Sequence, residues 1–152
     1  KGRQVEVAVY ALGKVAPERL GRGHLLGGQL MLWVDICAAL AAGRHAQNVC
    51  VTASVDKIDF HHPIKLGEVV TLEASVNRVF SSSLEVGVKI FSQHFTSSEQ
   101  KHTNSAYLTF VNIDKEGKPV PAPKVVPETE EEKRRYVDAG LRREQRLANR
   151  NK

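Results

Sequence analysis

The sequence predicts an α+β domain: an antiparallel β-sheet wrapped around one long apolar helix, with a second helix at the C-terminal end. Three observations predict it. Leu30 to Ala42 reads LMLWVDICAALAA, apolar at every position except Asp35 and free of proline. Four β-rich runs follow, at a spacing of about 12–16 residues that suits long antiparallel strands. The 152 residues, 41% hydrophobic and 26% charged, have the size and composition of one globular domain.

Each element has its own local reason. Val5 to Leu12 partly alternates and reads as a first strand. Gly13 to Gly28 is loop-like, with Pro17 and then Gly21, Gly23, Gly27 and Gly28. The helix is expected from about Gln29 to Ala42, rich in strong helix formers and stopped at Gly43. It is apolar around its whole circumference, so burial on most sides is expected. Val49–Phe60, Val69–Phe80, Leu84–Phe95 and Lys101–Ile113 read as strands. The first two are separated by the turn His61–Gly67 carrying Pro63, the middle two by Ser81, Ser82 and Ser83.

Asp114–Glu128 is a proline-rich connector, expected to lie extended along the surface. Thr129 and Glu132 form a capping box that starts the last helix. Glu130/Arg134 and Glu131/Arg135 are i,i+4 pairs in the favourable order, and Gly140 is a candidate interruption. The expected division is a main domain over 1–128 and a basic helix or tail over 129–152.

The net charge of +5 is uneven. Residues 133–152 hold eight basic and two acidic side chains, a net +6, which leaves −1 for residues 1–132. The basic tail has only Tyr136 as aromatic support, so a solvated helix is expected rather than a nucleic-acid face. No apolar run reaches the roughly 18 residues a membrane span needs. The chain begins at Lys1 with neither an initiator Met nor a signal-like apolar segment, so a processed or excised form is expected. Cys37 and Cys50 cannot build a disulfide framework and read as small buried hydrophobes in a reducing compartment.

Asp35 is the chemical anomaly. An unpaired carboxylate among apolar neighbours costs several kcal/mol, so the group is either paired or used. Gly27 and Gly28 stand at the helix entry, where the first amides have no internal partner and the dipole favours negative charge. Such amides can hold an oxyanion, and a tight loop entering a helix is the plainer alternative. Asp35 follows Gly28 by seven residues. On an α-helix that is about 700°, some 20° short of two turns, with about 10.5 Å between them along the axis. The two therefore share a face without reaching one carbonyl together. Two copies with antiparallel helices would place Gly28 of one near Asp35 of the other, twice, in a symmetric dimer.

The segment GHLLGGQLMLWVD, Gly23 to Asp35, resembles the helix entry of hotdog-fold acyl-CoA thioesterases. The resemblance extends through Ala41–Ala46, Val51–Val70 and EGKPVPAPKVVPETEEEKRRY, Glu116 to Tyr136, which are similar to the two-domain acyl-CoA hydrolases of animal cells. It implies a hotdog fold and hydrolysis of acyl-CoA to fatty acid and CoA, with no separate cofactor and no metal. In this reading Gly28, with Gly27, offers an amide to the thioester carbonyl, and Asp35 is general base or nucleophile. Arg78, Ser81, Ser82 and Ser83 would contact CoA. His24 stands where some related domains carry a partner asparagine. The expected partners are the acyl-CoA and a second copy of the chain. A trimer of dimers, or a second hotdog domain in a longer protein, would extend that pairing. Cytoplasm is the expected compartment, with mitochondria as the other candidate.

The alternative is a weak or non-catalytic acyl-CoA-binding domain, which the His24 departure favours. A hotdog dehydratase using His24 fits the spacing of Asp35 poorly. His61-His62 lacks a third ligand at metal-site spacing, and His45, His94 and His102 carry no motif. No Gly-x-Ser-x-Gly elbow supports a serine route.

Overall fold

The computed structural model describes residues 6–11, 20–21, 24–25, 27–56, 58, 60 and 62–152, with the side chains of 6–11, 20, 21 and 24 outside the description. Most of the Gly13–Gly28 loop and His61 therefore lie outside the described residues. The elements run β1 (Glu6–Ala11), β2 (Leu20–Gly21), β3 (His24–Leu25), α1 (Gly27–Ala46), β4 (Cys50–Val55), β5 (Glu68–Val79), β6 (Ser83–His94), β7 (Lys101–Asn112) and α2 (Glu130–Arg150).

The main sheet has the order β1-β5-β6-β7-β4 and every pair in it is antiparallel. Its inner face follows from alternation. Val70, Leu72, Ala74 and Val76 of β5, Leu84, Val86, Val88 and Ile90 of β6, and Leu108 and Phe110 of β7 are all buried. Against them α1 presents Leu30, Trp33, Val34, Cys37, Ala38, Ala41 and Ala42, the i, i+3, i+4, i+7 spacing of one helix face. The sheet thus holds the central helix, as expected.

Burial of α1 stops short of the expectation. Leu32, Ile36 and Leu40 are 53%, 43% and 51% exposed, a stripe at i, i+4, i+8 that no described residue covers. The helix also runs through Gly43 to Ala46. Gly43 does not stop it: its carbonyl accepts from Asn48 N at 3.3 Å as the chain turns back. The cap falls instead on Gln47, at φ 54°.

Of the strand expected over 49–60, Cys50–Val55 forms β4, and a bulge shifts its pairing between Thr52 and Ser54. Thr52 pairs with Phe110 and Ser54 with Thr109, so the bulge turns Ser54 to the face opposite Thr52. The connector is pinned rather than free. Ala122 N donates to Ser81 O at 2.8 Å, and the buried Asn112 side chain donates to Val120 O and Pro121 O.

The largest difference from expectation is α2. Its capping box forms as expected. Part of its basic face, Arg142, Arg143 and Arg146, packs on the outer face of the sheet, while Lys133, Arg134 and Arg150 remain exposed. Glu85, fully buried, accepts from Arg142 through two hydrogen bonds of 3.0 and 2.7 Å and from Asn77 Nδ2 at 3.1 Å. Burial works against the Arg142 cation, but the hydrogen bond and charge of Glu85 outweigh it and raise its pKa. Arg142 also lies 3.7 Å from the Tyr107 ring centroid. Of the expected surface pairs, Arg135 meets Glu131, whereas Arg134 faces Asp138. Glu131 is held below its ordinary pKa first by the Lys89 hydrogen bond and then by the charges of Arg135 and Lys89.

Candidate active site

Helix geometry positions the first half of the site. Gly27 and Gly28 open α1, whose first turn contains no acidic side chain to neutralise its positive end. A Cβ built at Gly28 meets no described atom within 4 Å, so the side-chain position there is open. A Cβ at Gly27 would stand 3.5 Å from the Phe60 ring. A cleft of about 240 Å³ opens here, lined by Leu25, Gly27, Leu30, Phe60 and Ile64 with Asn104 and Thr103. It joins apolar walls to the first turn of the helix at Gly27.

Asp35, the second half, is half-buried on α1 beside the open stripe of Leu32 and Ile36. Its Oδ1 accepts a 2.7 Å hydrogen bond from Thr52 Oγ1 on β4. That contact answers how an apolar stretch tolerates the carboxylate: one oxygen is fixed by Thr52, and among the described residues the other has no hydrogen-bond partner. The sequence reading missed Thr52. A helix rises about 1.5 Å per residue and a strand about 3.3 Å, so the strand climbing back from Gln47 reaches the level of Asp35 after about five residues. That arithmetic lands on Thr52, but needs the helix end in advance.

The chain's own topology leaves this site open. β4 is a terminal strand of the sheet, so its outer edge has no partner among the described residues. Val51 and Val55 are exposed along it. Leu32, Ile36 and Leu40 make an apolar stripe beside Asp35 that no described residue covers, whereas Val51, paired with Val111, belongs to the opposite face of the sheet.

The other expected residues fall elsewhere. His24 pairs through its backbone with Gly21 in the β2–β3 hairpin, just before α1; its side chain lies outside the described residues. Arg78 is occupied by packing. It donates to Tyr136 O at 3.3 Å, lies 4.1 Å from the Tyr136 ring centroid, and faces Phe80 at 5.3 Å. Ser81 and Ser82 use their carbonyls to hold Ala122 and Asn112, and Ser83 Oγ accepts from Arg143. The triple serine is a hairpin turn with tertiary attachments on the sheet's outer side. Among the described residues no three His, Cys, Asp or Glu side chains are grouped to hold a metal ion. No helix among them is long and apolar enough to cross a membrane.

Comparison with known proteins agrees with this architecture. A family model described as Thioesterase superfamily matches residues 22–96. The uncharacterised acyl-CoA thioester hydrolase YkhA of Bacillus subtilis is 47% identical over 108 residues, covering 71% of this chain and 63% of its own. Mouse acyl-coenzyme A thioesterase 11 is 46% identical over 126 residues, 83% of this chain but 21% of its own. The chain thus spans under two thirds of these relatives. Among solved structures, the acyl-CoA hydrolase of Staphylococcus aureus with butyryl coenzyme A and coenzyme A superposes with a TM-score of 0.86 at 37% identity, over 96% of this chain and 88% of that one. Alanine variants of an aspartate, a threonine and an asparagine of that enzyme have also been solved. An apo-hexameric acyl-CoA thioesterase superposes with a TM-score of 0.88 at 36% identity, over 97% of this chain and 93% of that one.

Proposed function

Because the chain belongs to the thioesterase superfamily, we propose that it hydrolyses acyl-CoA at a site shared between two copies of itself. The observation that carries this reading is Asp35, fixed by Thr52 and bordered by an uncovered apolar surface two turns from the Gly28 amide. In the dimer, two α1 helices lie antiparallel and the stripes of Leu32, Ile36 and Leu40 cover each other. The Gly28 amide of one copy then polarises the thioester carbonyl while the carboxylate of the other takes a proton from water. Water attacks the carbonyl carbon, the tetrahedral oxyanion forms at the amide, and CoA leaves as the thiolate. The apolar cleft beside Gly27 suits the acyl chain. The word "cytosolic" in the names of rodent and human relatives supports a cytoplasmic setting, and the hexameric neighbour supports assembly beyond the dimer.

The Staphylococcus enzyme supports the residue roles. Its substituted aspartate and threonine stand 17 positions apart, the separation of Asp35 and Thr52. Its asparagine stands 15 positions before the aspartate. Counted back from Asp35, that spacing falls on Leu20 rather than His24. An apolar residue there favours the second reading, a domain that binds acyl-CoA and turns it over slowly.

The test is release of free CoA from a panel of acyl-CoAs by the wild type and Asp35→Asn. Hydrolysis by the wild type, with kcat reduced about 100-fold or more in the variant and KM little changed, supports catalysis by Asp35. Tight binding without release from any chain length supports the second reading instead.

A further inference from the structure

On the sheet face opposite Asp35, a groove of about 490 Å³ runs between β4 and the last turns of α2. Arg143, Arg146 and Arg150 line one wall, at the i, i+3, i+7 spacing of a single helix face. Ser54, Ser83 and Thr109 line the other, and no acidic side chain contributes to the lining. The bulge at Ala53 puts Ser54 there, turning it away from the Thr52 side of the strand.

The arginines are held with capacity to spare. Arg143 Nη1 donates to Ser83 Oγ at 3.1 Å and its guanidinium lies 4.5 Å from the Phe80 ring centroid. Arg146 is anchored at 3.2 Å to Asp56. Among the described residues, neither Arg143 nor Arg150 has a carboxylate within ion-pair distance. Arg146 also lies 3.8 Å from Glu85 and so is paired already, which leaves Arg143 and Arg150 as the charges on this concave surface that an anion would offset. Guanidinium forks flanked by hydroxyls match the oxygens of a phosphate, which accept from several donors at once.

We propose that this groove binds the phosphate groups of a phosphorylated ligand. Two sources share that chemistry: the phosphates of acyl-CoA, which follows only if the thioesterase reading holds, or a separate phosphorylated small molecule. The probes are inorganic pyrophosphate and coenzyme A, titrated calorimetrically against the wild type and the Arg143→Gln/Arg150→Gln variant. Arg146 is left in place because it also ties α2 to Asp56. The wild type is expected to bind pyrophosphate with an affinity that falls as salt rises. The variant is expected to bind about 10-fold or more weakly while keeping a cooperative unfolding transition, its melting temperature lowered only by the loss of the Arg143 contacts to Ser83 and Phe80. Equal pyrophosphate binding by both proteins, or none by the wild type, overturns the proposal. Weakened coenzyme A binding together with a raised KM for acyl-CoA assigns the phosphates to the substrate. Loss of pyrophosphate binding with coenzyme A binding and KM unchanged assigns them to a separate ligand. If neither protein hydrolyses any acyl-CoA, the thioesterase reading fails while the pyrophosphate titration still decides the groove.

Discussion

Thr52 shows how much of the candidate chemistry rests on single atoms. Its hydroxyl fixes one oxygen of Asp35, and it contributes no other described contact to the site. Thr52→Val keeps the volume and removes the donor. We expect kcat to fall about 10-fold, while Thr52→Ser keeps most of the rate, with circular dichroism unchanged for both. Cys50 is the second residue with a checkable state. Burial disfavours its thiolate and pushes its pKa above the ordinary value. The sign follows: the thiol form is stable through neutral pH, and the contribution of its burial is lost only as pH rises into the alkaline range. Alkylation of Cys50 by iodoacetamide near pH 8, followed by mass spectrometry, should therefore be slower than that of a free cysteine.

At the scale of elements, the glycines and charges of α2 separate local from tertiary meaning. Gly140 reads locally as a helix interruption, yet α2 is continuous across it. A Cβ there would stand 2.6 Å from Arg78 Nη1, so the glycine admits the guanidinium that bridges β5 to Tyr136. In an exposed helix, Gly→Ala stabilises by about 1 kcal/mol. Here Gly140→Ala must displace the guanidinium end of Arg78, so its gain is expected to fall below that figure, which urea denaturation reads directly. Glu85 makes the same point for charge. The segment SLEVGV alternates as a strand should, but nothing local says that its carboxylate meets a helix 57 residues away. Glu85→Ala strands Arg142 beneath α2, and a loss of about 3–5 kcal/mol is expected in thermal or chemical unfolding. The long strands, the capping box and α1 were legible because they depend on period and neighbours within a few positions. The inward basic face of α2, the bulge at Ala53 and the roles of Gly43 and Gly140 were not, because each depends on what the fold brings opposite.

For the whole molecule, the open question posed by the sequence was a carboxylate and an amide on one helix face, too far apart to cooperate. The fold answers with a stripe beside that carboxylate and an outer edge of β4 that no described residue covers. If these surfaces meet their counterparts in a second copy, Ile36→Glu should shift sedimentation toward the monomer and remove activity together, because each site loses its other half. The most direct measurement of the shared site mixes two inactive variants. Gly28→Val crowds the amide and is expected to fold, since a Cβ there meets no described atom within 4 Å. Asp35→Asn removes the carboxylate. Hybrid dimers pair the intact Gly28 of one with the intact Asp35 of the other, restoring one site of two. An equal, randomised mixture should recover about a quarter of wild-type activity from parents with almost none. No recovery, with hybrid dimers present by native mass spectrometry, would contradict a site built across two copies.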